Sequence, residues 1–293
     1  MNKLPLETRT RILSMLVEGS SMRSVSRVCD VSINTVSKLL VDAGNACAAF
    51  HAEKVQNVKS RRVQCDEIWS FCYSKQVNRS AHDRGERGDV WTWTALDADS
   101  KLIVSWMVGR RDAEAANLFI SDLKARLANR VQLTTDGWRA YLDAVFDNFE
   151  HHVDYAQLAK LYGPAPEGER RYSPPECIGT RKHRIIGNPN PEHISTSYVE
   201  RQNLTMRMSM CRFTRLTNAF SKKIDNHNHA LALYFVWYNW IRIHKTLRVT
   251  PAMAAGLTDA LMDMSDVVAL IDAQEAVAID HRRAAVIARQ GSN

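Results

Sequence analysis

Apolar residues recur at helical spacing through residues 7–18, ETRTRILSMLVE, where Ile12, Leu13, Leu16 and Val17 share one face. Gly19 and Ser20 close that helix. A second helix reads from MRSVSRVCDV, with Met22, Val25 and Val28 inward and Arg23 and Arg27 outward. After a short turn, Ser32 caps a third helix, INTVSKLLVDAG, expected to stop at Gly44. Two short helices joined by a tight turn make a helix-turn-helix. Its second helix would present Asn34, Thr35 and Lys38 to the major groove of DNA. An ordinary three-helix bundle carries the same pattern. The expected all-α domain covers residues 1–45, and 46–62 form a linker helix with a basic exit.

Beyond residue 62 the period changes from helical to alternating. RRVQCDEIWSFCY is rich in β-formers and reads as a strand. Residues 76–89 are a polar loop. VWTWTALDADSKLIVSWMVG then reads as two strands joined at Asp97–Ser100, where Asp97 and Asp99 are expected to be solvated. DAEAANLFISDLKARLAN is an amphipathic helix, VQLTTD a short strand and GWRAYLDAVFDNF another helix. Strand-strand-strand-helix-strand-helix is the opening of a ribonuclease-H-like α/β fold. Residues 163–192 hold six of the eight prolines and read as a long insertion, with a short hairpin around His183–Ile186. Helices resume at Ser195 and run to Ile241. A helical tail, 246–293, follows a cap at Thr250–Pro251.

Composition adds a partner. The 293 residues carry a formal net charge of +7, which favours a polyanion, and nucleic acid is the commonest. With 45% hydrophobic residues the chain can bury a sizeable core. Six scattered cysteines form no CxxC pair, which argues against a zinc finger and fits a reducing compartment. No stretch approaches the roughly 20 apolar residues of a membrane span, and the first residues carry no apolar signal run. A cytoplasmic protein is expected.

Three acids then stand out. Asp66 lies inside the aromatic-rich first strand, Asp136 ends an apolar strand just before Gly137, and Glu200 sits on a helix. A carboxylate inside a strand is costly unless something pairs with it. Two Mg²⁺ ions, with Mn²⁺ as a substitute, would gather such acids and serve phosphodiester chemistry. Each acid has a plainer alternative: an edge charge for Asp66, a helix cap for Asp136, a solvated position for Glu200. Glu67 rivals Asp66, but alternation points it to the opposite face.

CDEIWSF around Asp66, TTDGWRAY around Asp136, STSYVERQNLTMRMSMCRFTRLTNAFSKK around Glu200 and WYNWIRIHKTLRVTPAMAAGL beyond them carry a resemblance. The chain resembles the DDE transposases of bacterial insertion sequences, closest to the insertion-sequence-one type. The resemblance implies a retroviral-integrase-like, ribonuclease-H-like catalytic domain over residues 63–245. It implies cleavage at the ends of a mobile element and strand transfer into target DNA, by an oligomer of this chain in a bacterial cytoplasm. Arg207, seven residues after Glu200, matches the family's habit of placing a basic residue there against terminal DNA. Arg201, Arg212, Arg215, Lys222 and Lys223 would neutralise phosphates beside it. Two features depart from the family: the cysteine zinc finger of its best-known members is missing, and the gap from Asp136 to Glu200 is longer. A nuclease or resolvase that cuts without joining, or a helix-turn-helix regulator without catalysis, are the alternative readings.

Overall fold

Runs of β-branched and aromatic residues supply the strands of a mixed sheet. The computed structural model describes residues 3–79, 87–164, 176–214 and 219–290. Strands β1 (Arg62–Cys72), β2 (Gly88–Asp97) and β3 (Ile103–Gly109) form an antiparallel meander. Strands β4 (Gln132–Asp136) and β5 (Asp154–Tyr162) continue the sheet parallel to β1, and β6 (Cys177–Ile186) closes it antiparallel to β5. The order across the sheet is β3-β2-β1-β4-β5-β6. Two helices, α4 (Ala113–Arg126) and α5 (Ala140–Phe149), connect β3 to β4 and β4 to β5. The strand and helix order read from residues 63–149 is therefore present.

Residues 154–162, which carry no clear period, form β5. Much of the expected insertion is also regular. Its second part is the whole of β6, paired with β5 from Tyr155 to Tyr162, rather than a short hairpin at 183–186. Residues 165–175 lie outside the described residues. The β2–β3 turn differs from expectation too. Asp97 is buried and accepts the backbone N–H groups of Asp99 and Ser100 at 2.7 and 3.1 Å. Asp99 pairs with Arg61 and Arg62, so neither acid is left to solvent.

At the N-terminus stand α1 (Leu6–Val17), α2 (Met22–Val28) and α3 (Ile33–Lys54). Ser21 and Ser32 cap the last two, each accepting a backbone N–H at 3.1 Å. The expected stop at Gly44 is absent: α3 runs on for a total of 22 residues, and the boundary placed at residue 45 falls inside it. Gly44 is there for packing. A Cβ on it would lie 2.3 Å from the Cβ of His229, on α7 (Ile224–Val236), so the missing side chain lets the two helices cross closely.

After β6 the chain forms α6 (Ser197–Ser209), α7, a π-helical turn at Trp237–Ile241, α8 (Pro251–Ala254) and α9 (Met264–Gln290). Thr250 caps α8 by accepting the Met253 N–H at 3.3 Å. Met264, Val267, Val268 and Ile271 of α9 are buried, and its Asp272 pairs with Arg9 of α1 at 2.6 Å. One apolar core links the N-terminal helices, the sheet, α7 and α9. Asn239, in the π-helical turn, bonds both backbone groups of Ile103 on β3 at 3.0 and 2.9 Å. His51 of α3 meets the same carbonyl at 3.2 Å. Among the described residues, no helix is long and apolar enough to cross a membrane.

Candidate active site

The site lies where β1 and β4 part. Their last paired residues are Gln64 and Thr134. Carried two residues further, the same register sets Asp66 level with Asp136 and on the same face. Reversal of connection between neighbouring parallel strands opens a crevice of the kind that holds ligands in α/β sheets. Gly137 helps the chain turn there, because a Cβ on it would come within 3.2 Å of the Ala159 Cβ on β5.

Carboxylate oxygens of Asp66, Glu67 and Asp136 lie within 4.8 Å of one another. Glu67 does occupy the face opposite Asp66, as alternation requires, but the strands have diverged and its carboxylate reaches the crevice. Its side chain is 2% exposed. One of its oxygens, Oε2, accepts from Arg111 Nε at 3.1 Å, and the carboxylate also takes a hydrogen bond from the buried Tyr141 hydroxyl. Arg111 Nη2 also reaches Asp136 Oδ2, at 3.3 Å. The other Asp136 oxygen accepts the Trp138 N–H at 3.0 Å. Asp136 thus caps its own turn with one oxygen and faces the crevice with the other.

On the opposite face, α6 is hung from β1. Gln64, two residues before Asp66, accepts the N–H groups of Tyr198 and Val199 at 2.9 and 3.1 Å, satisfying donors at the start of the helix. One turn after Glu200, Asn203 donates to Asp66 Oδ2 at 2.8 Å, while its own Oδ1 is buried without a partner. Glu200 borders the cluster but is not among the oxygens within 4.8 Å. It pairs with Lys160 of β5 at 2.5 Å and accepts from the Thr196 hydroxyl at 2.5 Å.

The electrostatics follow from burial. Asp66 keeps some exposed surface but is closely surrounded by protein. Burial, and then the charges of Glu67 and Asp136, push its carboxyl up to about 7. Glu67 is raised as well, again first by burial. Burial opposes the charge of Lys160, but its bond to Glu200 outweighs this and its pKa is raised. Carboxylates held together at this separation repel one another, and a hard divalent cation with oxygen ligands is the natural remedy. The buried Asn203 Oδ1, which has no partner, fits that donor chemistry.

The expected DNA contacts divide. Asn34 and Lys38 are exposed at the start of α3, with Thr35 half-buried beside them, and Lys38 pairs with Asp42 at 2.5 Å. Arg201 and Arg207 are exposed on α6, and Lys222 and Lys223 are exposed ahead of α7. Arg212 is turned inward, donating to Ser221 Oγ and the Asn226 carbonyl at 3.0 and 3.2 Å, and burial lowers it to about 10. It holds the segment after α6 rather than facing solvent. Arg215 lies outside the described residues.

Several residues of the site were set aside or unread in the sequence. Alternation gave the face of Glu67 and hid its reach. Gln64 had a signal, a polar residue on the same strand face as Asp66. Lys160 falls in the segment that carries no period. Arg111 follows β3 in a plain charged turn, and nothing in its neighbours marks it.

The crevice acids and the mixed sheet define the class of protein: an α/β protein with a carboxylate-lined cleft between parallel strands. The sequence matches no family model and no curated protein. Among solved structures, the Mos1 transposase paired-end complex with left transposon end is similar at 14% identity and a TM-score of 0.23, over 53% of this chain and 60% of that one. The match therefore spans less than two thirds of that transposase. The Mos1 strand transfer complex is similar at 14% identity and a TM-score of 0.24, over 80% and 78%. Likeness at this level carries no weight for function; the side-chain geometry does.

Proposed function

We propose that this chain is a DDE transposase of the bacterial insertion-sequence type, with a ribonuclease-H-like catalytic fold and a helix-turn-helix for its DNA ends. The observation that supports this best is the meeting of Asp66 and Asp136, from adjacent strands, in a half-buried crevice beside α6. Asp66, Asp136 and Glu200 would hold Mg²⁺, or Mn²⁺ in its place. When bound, such ions activate an attacking oxygen and neutralise charge on the leaving oxygen.

The chain's own groups do the rest. Asp66 and Asp136 are fixed in direction by Asn203 and by the Trp138 N–H. Lys160 orients Glu200 toward the crevice edge. Arg201 and Arg207, exposed on the same helix as Glu200, neutralise phosphates of the DNA that enters. Asn34, Thr35 and Lys38 read the element end from the start of α3. Joining two ends requires more than one copy of the chain.

The test is a cleavage assay on the terminal DNA flanking the gene, with Mg²⁺, for the wild type and for Asp66→Asn, Asp136→Asn and Glu200→Gln. Loss of roughly a thousandfold or more in each variant is the expected result. Full activity in Asp66→Asn overturns the reading, and full activity in Glu200→Gln removes Glu200 from the ligand set. A substrate carrying a pre-cut 3′-hydroxyl separates transposition from simple nuclease action, because only a transposase joins it to a second duplex.

A further inference from the structure

Arg111 occupies an unusual place. It leaves the sheet just after β3, and its guanidinium spans the crevice from Glu67, on one face of β1, to Asp136, at the end of β4. The group is held against aromatic rings, 4.4 Å from the centre of Trp138 and 5.1 Å from that of Trp91. Its side chain is 31% exposed, so it sits at the mouth rather than in the core. The two acids it binds are two of the three whose oxygens cluster within 4.8 Å.

We infer that Arg111 is the built-in counter-ion of the acidic crevice, a positioning residue that competes with a divalent cation for Glu67 and Asp136. The inference rests on the metal-binding reading proposed above. A guanidinium and a metal ion satisfy the same need, a positive charge between converging carboxylates. They cannot both be satisfied by the same oxygens. While Arg111 bridges them, the crevice keeps its shape and its acids stay apart from unwanted contacts. When a divalent ion takes the carboxylates, the guanidinium is released at the mouth, still backed by Trp138. Its planar set of donors then suits a DNA phosphate. Glu67 enters the site by the same argument, since the arginine ties its carboxylate to that of Asp136 and both belong to the cluster.

The prediction has a sign opposite to that of an ordinary supporting residue. Calorimetric titration of the full-length protein with Mg²⁺ and with Mn²⁺, without DNA, compares wild type, Arg111→Gln and Arg111→Lys. Arg111→Gln is expected to bind the ion roughly threefold to tenfold more tightly, because a competing charge has gone. Its metal-free form should melt at a lower temperature than wild type and gain more from added Mg²⁺. Arg111→Lys keeps the charge but not the fork, and should fall between the two. It also serves if the glutamine variant does not fold. Unchanged or weaker ion binding in the variants, with the wild type binding normally, overturns the counter-ion role alone. No ion binding by the wild type overturns that role together with the metal-site reading.

Discussion

Asp66 carries the largest electrostatic load of any carboxylate in the site. Its pKa is raised to about 7, first by burial and then by Glu67 and Asp136. An acid whose folded pKa lies above its unfolded one binds more protons when folded. Its charge therefore costs nothing near pH 4, and the cost grows as pH rises toward 7. Asp66→Asn removes that cost while keeping a carbonyl oxygen to accept from Asn203. The metal-free variant is expected to be more stable than wild type by about 1–3 kcal/mol at pH 8, with the difference closing toward pH 4. Urea unfolding at the two pH values in the presence of a chelator measures it. Loss of activity alongside this gain would mark the residue as strained for function. At this scale the sequence was informative about Asp66 and Asp136, because an acid inside an apolar strand contradicts its surroundings. It was silent about Arg111 and Lys160, whose meaning comes only from what the fold brings to them.

Among the elements, α3 is the instructive case. A glycine inside a helix costs about 1 kcal/mol relative to alanine, which is why Gly44 reads as a stop. The helix continues because Gly44 meets α7 at His229, and close crossing outweighs the local preference. Gly44→Ala, normally a stabilising change in a helix, is expected to destabilise this protein by about 1–3 kcal/mol or more. The opposing atoms include the His229 backbone, whose Cα lies 2.5 Å from where the added methyl would sit and cannot rotate away. Thermal or urea unfolding checks the sign, and a stabilised Gly44→Ala would show that the helices do not cross as described. Strands β1 to β4 were legible because each keeps a strand-like run between turn signals. Strand β6 was not, since it is an edge strand exposed over nearly its whole length, and exposure erases alternation. The pairing of β6 with β5 is a long-range choice that local pattern does not record.

Across the whole molecule, two buried histidines, one of which joins distant parts of the chain, set its acid tolerance. His51 links α3 to the backbone of β3, and burial lowers its pKa to about 4, while His227 in α7 is lowered by burial to about 3. A histidine that is neutral when folded contributes stability that is complete above its unfolded pKa near 6.5 and is lost as pH falls toward the folded value. Wild type should therefore lose about 2 kcal/mol between pH 7 and pH 5 relative to His51→Gln, read from urea unfolding of both proteins. An identical pH dependence would show that His51 is not held neutral. The same helix has a further consequence. Its first turn carries Asn34, Thr35 and Lys38, and its last turns are anchored to the sheet through His51, with no break between. A rod of 22 residues spans about 33 Å. If the first turn reads a base sequence, the rod acts as a ruler. The number of base pairs between the bases recognised and the bond cut is then a dimension of the protein, and an inserted residue in mid-rod would rotate one end against the other by about 100°.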